Sequence, residues 1–514
     1  MNGWTGGYAS GLDYLYDFQP ELSPLRVQLT LLAAGLAPPR ITTACELGFG
    51  QGISVNIHAA AQAVRWYGTD FNPTQVGFAR ELAGVSGADL QLFDQSFAEF
   101  CARPDLPEFD LICLHGVWTW ISDDNRALIV DFLRRKLAVG GVVYVSYNVQ
   151  PGFSPLIALH PLLMRYAEAL GRSAGGPAPG IDAALAFVER ILAMSPGYAA
   201  AHPRIQELLR SIRQEDRRYL THEYLNANWA PTCFVRVAET LGAAKLEYAC
   251  SPEVRQMPEA LELTAEQRAL LGEIPHSSYR EVARDLMANR SFRMDYWVKG
   301  ARRLAPLEQI ERMLEQRVML IRQSADVLPA FTSALNGAAP LQPILAAVLA
   351  ALADHQPRTL AEIEDAIEGR GFVVPQLCNA IGVLASLGAV APVQDPACAQ
   401  QVRARTDRLN ALLCAKALRG ADVRVLASPV TGTGFAEVGG RVALFFLQSV
   451  AHGVCEPREL GAQALRIFAA LGIGLFRDGR PIESADERLA LLTGQAQYFI
   501  ERQLPVLRAM QIAA

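Results

Sequence analysis

No stretch of the 514 residues sustains the roughly 18 consecutive apolar positions that a membrane-crossing helix needs. The opening Met1-Asn2-Gly3-Trp4 lacks the charged-then-apolar profile of a secretory leader, so a cytoplasmic location is expected. Nine cysteines are scattered without a CxxC pair or a His/Cys cluster at zinc spacing; no metal is expected, and the thiols read as reduced, buried fillers. The net charge is only −5, and no basic cluster of the kind a nucleic-acid-binding surface shows is present, so no nucleic-acid partner is expected.

What is present is apolar and foldable: 51% hydrophobic residues against 19% charged. At roughly 100 to 200 residues per domain, the length allows two to four domains.

The apolar periodicity alternates. Leu25 to Leu36 repeats like a helix and stops at Pro38-Pro39; Ile41 to Leu47 reads as a strand broken by glycines; Ile53 to Val64 is helical again. Arg65 to Asp70, Asp89 to Phe93, Phe109 to Leu114 and Val142 to Tyr147 read as further strands, with helices at Pro73 to Ala83, Ser96 to Cys101 and Asp123 to Leu137 between them. This alternation predicts an α/β fold with a parallel sheet covered by helices. Pro155 to Trp229 is helical with one flexible break at Gly171 to Gly180, and predicts a cap inserted at about 155–230. Strands at Lys245 to Cys250 and Phe292 to Lys299 complete a seven-stranded, Rossmann-like sheet, which places a first domain at 1–305. Residues 306–514 read as mainly helical, with helices at Leu341 to Ala353, Leu360 to Ile367 and Pro375 to Leu387 before Ala389 to Val393. That winged-helix-like segment, about 340–395, carries Glu362, Glu364, Asp365 and Glu368, which repel phosphate; protein docking or a homodimer through this region is expected.

The chemistry concentrates in Glu46-Leu47-Gly48-Phe49-Gly50-Gln51-Gly52. A strand ends in an acid, and alternate glycines follow before a helix, where the backbone must pass close to a ligand. The dinucleotide fingerprint is GxGxxG, with phosphate resting on the helix N-terminus. Here the pattern is GxGxG behind a glutamate, which repels phosphate and suits the cationic methionyl end of S-adenosyl-L-methionine. Asp70, at the end of the second strand with Phe71 beside it, is placed to accept both ribose hydroxyl hydrogens. Asp94 meets the adenine amino group, with Gln95 and Ser96 alongside. The expected activity is therefore that of an S-adenosylmethionine-dependent methyltransferase.

The run Phe109 to Trp120, the segment Gly140 to Asn148, and Pro151-Gly152-Phe153 resemble class I methyltransferases of bacteria that carry a methyltransferase regulatory domain, a group that includes protein-lysine methyltransferases. His222-Glu223-Tyr224-Leu225 resembles that regulatory stretch. The resemblance covers residues 10 to 300 and implies a protein lysine as acceptor. The Phe49 in ELGFGQG and the segment Tyr14 to Phe18 depart from the lysine-modifying members, so a small-molecule acceptor stays open, as does a non-catalytic regulator that only binds the cofactor.

Methyl transfer needs an acceptor held in line about 3 Å from the methyl and shielded from water. The loops after the fourth and fifth strands supply His115, Trp118, Trp120, Tyr147 and Asn148. His115 either orients the acceptor, beside the cofactor, or is a hydrogen-bonded structural residue. Trp118 and Trp120 either wall a lysine channel by cation–π contact or pack the loop. Tyr147 and Asn148 close the fifth strand, and Asn148 either holds an amine or forms a turn. Tyr14 and Tyr16 belong to an arm that either covers the cofactor or docks the domain, and His222 with Glu223 either completes the cap side of the site or starts a helix.

Overall fold

The computed structural model describes residues 14–171, 177–194, 196–252, 263–327, 342–436, 438, 440–477 and 480–513. The chain's opening residues, Leu341 and the middle of the Gly171 to Gly180 break lie outside the described residues.

Seven strands form one sheet: β1 (Thr43–Leu47), β2 (Arg65–Asp70), β3 (Leu90–Asp94), β4 (Phe109–Leu114), β5 (Leu137–Asn148), β6 (Leu246–Cys250) and β7 (Phe292–Lys299). Their order is β3-β2-β1-β4-β5-β7-β6. The first five are parallel, and β7 runs antiparallel between β5 and β6. The order reverses between β1 and β4, and a crevice opens there at the strands' carboxyl ends, where ligands bind in open α/β sheets. The central strands are apolar on both faces because helices cover both. On one face Phe100, Phe109, Phe132 and Trp297 pack together; on the other, Leu22, Val27, Trp66, Tyr144 and Tyr296.

The helices start where side chains satisfy free backbone N–H groups. Asn72 accepts from Thr74 N at 3.0 Å at the head of Pro73–Ser86, and Ser96 forms a capping box with Glu99 ahead of Phe97–Cys101. Where a cap is expected, helices from Gln150–Ile157 to Arg217–Tyr224 pack around a core of Leu163, Ile181, Leu185, Leu209 and Leu220. Helix Pro177–Met194 takes up the end of the expected break.

Beyond β7 the chain stays on the sheet's flank: Gln309 donates to Leu32 O at 2.9 Å, fixing the helix Pro306–Leu314 on Pro24–Ala33. The three expected helices are Gln342–Ala351, Leu360–Ala366 and Val374–Ser386, followed by the strand Val390–Pro392. That strand pairs with Arg317–Leu320, which also pairs with Arg358–Thr359, so the centre of this small sheet comes from ahead of the helices. A long helix, Pro396–Leu418, and a hairpin, Leu426–Ser428 with Thr433–Phe435, precede the final helices. No helix among the described residues is long and apolar enough to cross a membrane.

Candidate functional site

The turn after β1 is built around positive backbone angles: φ is +75° at Gly48 and +71° at Gly52. A Cβ on Gly52 would stand 2.5 Å from Ala79 Cβ, and one on Gly48 2.7 Å from Val117 Cγ2, so no side chain fits at either. Asp70 holds the turn from β2: its Oδ2 accepts from Gly50 N and its Oδ1 from Asn72 N, both at 2.9 Å. Burial outweighs these bonds and pushes its carboxyl up to about 7.

Glu46 is buried behind the glycines, and its Oε2 has no hydrogen-bond partner among the described residues. Burial first, and then the nearby Asp70, push its carboxyl up to about 8. A buried carboxylate with an unused oxygen fits a cationic, hydrogen-bond-donating ligand. Gln95 Oε1 is likewise buried without a partner.

These groups surround a cavity of about 120 Å³. Glu46, Gly48, Gly50, Gly52, Asp70, Phe71, Gln95 and His115 line it, together with Tyr14, Asp17, Gln19, Gln51, Phe97 and Trp120. The arm bearing Tyr14 does lie across the glycine turn: its backbone oxygen accepts from Gln51 at 3.4 Å, and its ring meets the His222 ring edge-on at 5.1 Å.

Several expected residues fall elsewhere. Asp94 is exposed and lies outside the cavity lining, and Ser96 is engaged with the Glu99 carboxylate through both its N–H and its hydroxyl, at 2.8 and 2.7 Å. Gln95 and Phe97 line the cavity between and beside them. Trp118 packs into the core with Ile129 and Phe132, whereas Trp120 lines the cavity and donates from Nε1 to Glu223 O at 3.2 Å. Tyr147 turns away from the cavity and donates to Asp295 Oδ2 at 2.6 Å. His115 pairs its Nδ1 with the Tyr144 hydroxyl at 2.8 Å, and burial lowers it to about 4, so it is neutral near pH 7.

Asn148, expected at the acceptor face, is buried and lies outside the cavity lining; it donates to Glu223 Oε1 at 2.8 Å and is itself held by Thr119 Oγ1 at 2.9 Å. Glu223 stands in the last turn of the helix Arg217–Tyr224, which corrects the expected helix start. Burial pushes its carboxyl up to about 7 against the bonds from Asn148 and Trp229. The stretch His222 to Leu225 marks this carboxylate in the sequence, but its pairing with Asn148, 75 residues away, leaves no local signal.

The family described as "Methyltransferase domain" matches residues 45–145, and "Predicted methyltransferase regulatory domain" matches 216–299. Uncharacterized protein sll1526 of Synechocystis sp. is 31% identical over 523 residues, spanning 99% of this chain and all of that protein. Uncharacterized protein RP028 of Rickettsia prowazekii is 28% identical over 153 residues, 27% of this chain and 56% of that protein. Among solved structures, PKMT2 from Rickettsia typhi in complex with AdoHcy superposes with a TM-score of 0.67 at 15% identity, over 98% of this chain and 99% of that one. A second structure of PKMT2 from Rickettsia typhi gives 0.62 at 14%, over 96% and 99%. At these identities the likeness is one of fold, and it extends through the C-terminal region.

Proposed function

The chain belongs to the S-adenosylmethionine-dependent methyltransferases that carry a methyltransferase regulatory domain, and we propose that its acceptor is an amine of a protein, lysine first. The observation that carries the choice of an amine is the buried Glu223–Asn148 pair behind Trp120. A lysine arrives as an ammonium and must lose a proton before its lone pair can attack. A carboxylate poised near 7 is suited to holding that ammonium and taking the proton at neutral pH. With its amide nitrogen committed to Glu223, Asn148 keeps a carbonyl oxygen to accept from the amine, and the Trp120 ring offers a cation–π wall. The Rickettsia PKMT2 fold, a protein-lysine methyltransferase, supports a protein as the bearer of that amine.

Bound in the cavity, S-adenosylmethionine supplies an electrophilic methyl on a sulfonium. The proposal assigns its methionyl ammonium to Glu46, its ribose to Asp70 with the Gly48 to Gly52 turn beside it, and its base to the Phe71 and Gln95 side. His115, neutral and tied to Tyr144, shapes the wall next to the reacting carbon. Pockets for ligands of this size span roughly 300–1,000 Å³, so Tyr14 moves off the glycine turn on binding and then covers the ligand against water.

The compactness of the cavity favours a second reading, a small-molecule acceptor. Incubating the protein with methyl-labelled S-adenosylmethionine, a cell extract and its low-molecular-weight filtrate separates the two. Label in lysine side chains of proteins supports the first reading, and label confined to the filtrate establishes the second. Cofactor binding without transfer to either overturns both in favour of a non-catalytic regulator.

A further inference from the structure

The arm that covers the glycine turn is a wall with two faces. Tyr14, Asp17 and Gln19 line the cofactor cavity, whereas Phe18 and Pro20 line a second and larger one of about 640 Å³. Its other walls are the helix Pro24–Ala33, the end of the edge strand β6, the helix Val374–Ser386 and the hairpin strand Thr433–Phe435. It therefore lies between the seven-stranded sheet and the C-terminal region, and interfaces between such units are where small-molecule sites concentrate.

Three features distinguish this space from a packing defect. Protein interiors fill their volume about as densely as organic crystals, yet the lining here carries the small residues Ala33 and Ala34 on one side and Gly382 and Ala385 on the other. A Cβ added to Gly382 meets nothing within 4 Å. Secondly, Thr433, only 8% exposed, lines the cavity with an Oγ1 that has no hydrogen-bond partner among the described residues. Buried polar groups are seldom left unpaired, and this one belongs to a residue of the cavity wall. Thirdly, Arg26 reaches the same space. Its Nη2 donates to Pro252 O at 3.1 Å and lies 3.5 Å from Glu21, which leaves most of the five guanidinium N–H donors for something else. The other lining charges answer each other: Arg284 pairs with Glu281 at 3.0 Å, and Glu281 also engages Arg293 at 3.0 Å.

We propose that this cavity is a second ligand site, which takes a small, mainly apolar molecule bearing one anionic group. The apolar body lies among Phe18, Leu29, Ile321 and Val390, and the anion meets Arg26. The proposal is independent of the methyl acceptor.

The test uses the whole protein and the fluorescent apolar anion 1-anilinonaphthalene-8-sulfonate, displaced by dodecanoate. The expected result is one saturable, displaceable site. Gly382→Phe fills the space and removes binding, while thermal unfolding shows the fold intact; should that variant unfold, Gly382→Leu carries the same test. Arg26→Met weakens binding about tenfold, the worth of one charge-assisted hydrogen bond. Absence of saturable binding, unchanged binding in the folded Gly382 variant, or unchanged affinity in Arg26→Met would each overturn the proposal.

Discussion

The amide nitrogen of Asn148, the last residue of β5, stands 2.8 Å from Glu223 Oε1 in the last turn of the helix Arg217–Tyr224. Sheet and helix are thereby joined behind Trp120, which lines the cavity and donates to the Glu223 backbone oxygen. Glu223→Gln keeps an oxygen to accept from Asn148 and removes only the charge and the basicity. Positioned proton transfer contributes typically 10²–10⁴-fold, so the turnover number is expected to fall by about a hundredfold or more while cofactor affinity stays the same. Wild-type turnover in this variant from about pH 6 to about pH 9 would remove Glu223 from the reaction.

Glu46, Asp70 and Glu223 sit at about 8, 7 and 7, well above the usual carboxyl range, each chiefly through burial. In the unfolded chain such groups ionise near pH 4. Between these limits the folded protein holds protons that the unfolded chain has released. These carboxyls therefore make the ligand-free protein most stable below about pH 4, with stability falling as pH rises to about 8 and levelling beyond. A cationic ligand beside Glu46 needs the ionised form, so its affinity moves in the opposite direction, rising by up to about tenfold per unit towards pH 8. Thermal unfolding with and without S-adenosylhomocysteine, from about pH 6 to about pH 8, checks both signs. A ligand-induced shift that shrinks with rising pH would place the ligand's cation away from Glu46.

The glycine turn and Glu46 were legible because strand, acid and alternate glycines are contiguous, and Asp70 because it closes the next strand. Trp118 and Trp120 were not separable from sequence. They lie two apart in a 3-10 turn, Trp118–Trp120, where such positions point about 240° apart, one into the core and one towards the cavity. Tyr147 and Asn148 are adjacent on β5, and the pleat sends adjacent side chains to opposite faces, one to Asp295 and the other to Glu223. The strand Arg317–Leu320 escaped notice because four residues carry no measurable period, and its partner Val390–Pro392 is remote in sequence.

Arg293 on β7 is fully buried, with Asp295, Asp285 and Glu281 at 3.0, 2.7 and 3.0 Å and its guanidinium 4.5 Å over the Phe234 ring. Asp295 also accepts from Tyr147, so this cluster anchors the end of β5 next to Asn148. Arg293→Met leaves buried carboxylates short of their cation, and breaking such a set costs roughly 3–5 kcal/mol. Chemical denaturation should register that loss. Arg293→Lys should recover only part of it, because one ammonium cannot match a forked guanidinium. Full stability in Arg293→Met would show that the remaining arginines neutralise the cluster unaided.

Every residue of the helix Ile53–Ala61, which follows the glycine turn, is buried. Ile53, Ile57, Ala60 and Ala61 share a core with Leu409, Val425, Phe435 and Leu444 from the C-terminal region. Two side-chain amides seal the contact: Gln62 donates to Gly432 O at 2.7 Å, and Gln394 to Ala61 O at 2.9 Å. Uncovering the two isoleucines alone forfeits roughly 3–6 kcal/mol, a large part of the roughly 5–15 kcal/mol that holds a native domain together. A chain cut after residue 305 is therefore expected to be insoluble, or to unfold without a cooperative transition and without binding S-adenosylhomocysteine. Calorimetry on the truncated chain decides the matter. Cooperative unfolding with full ligand affinity would make residues 306–514 an appendage; loss of both would make them a structural part of the cofactor site, acting through the outer face of the helix that the glycine turn begins.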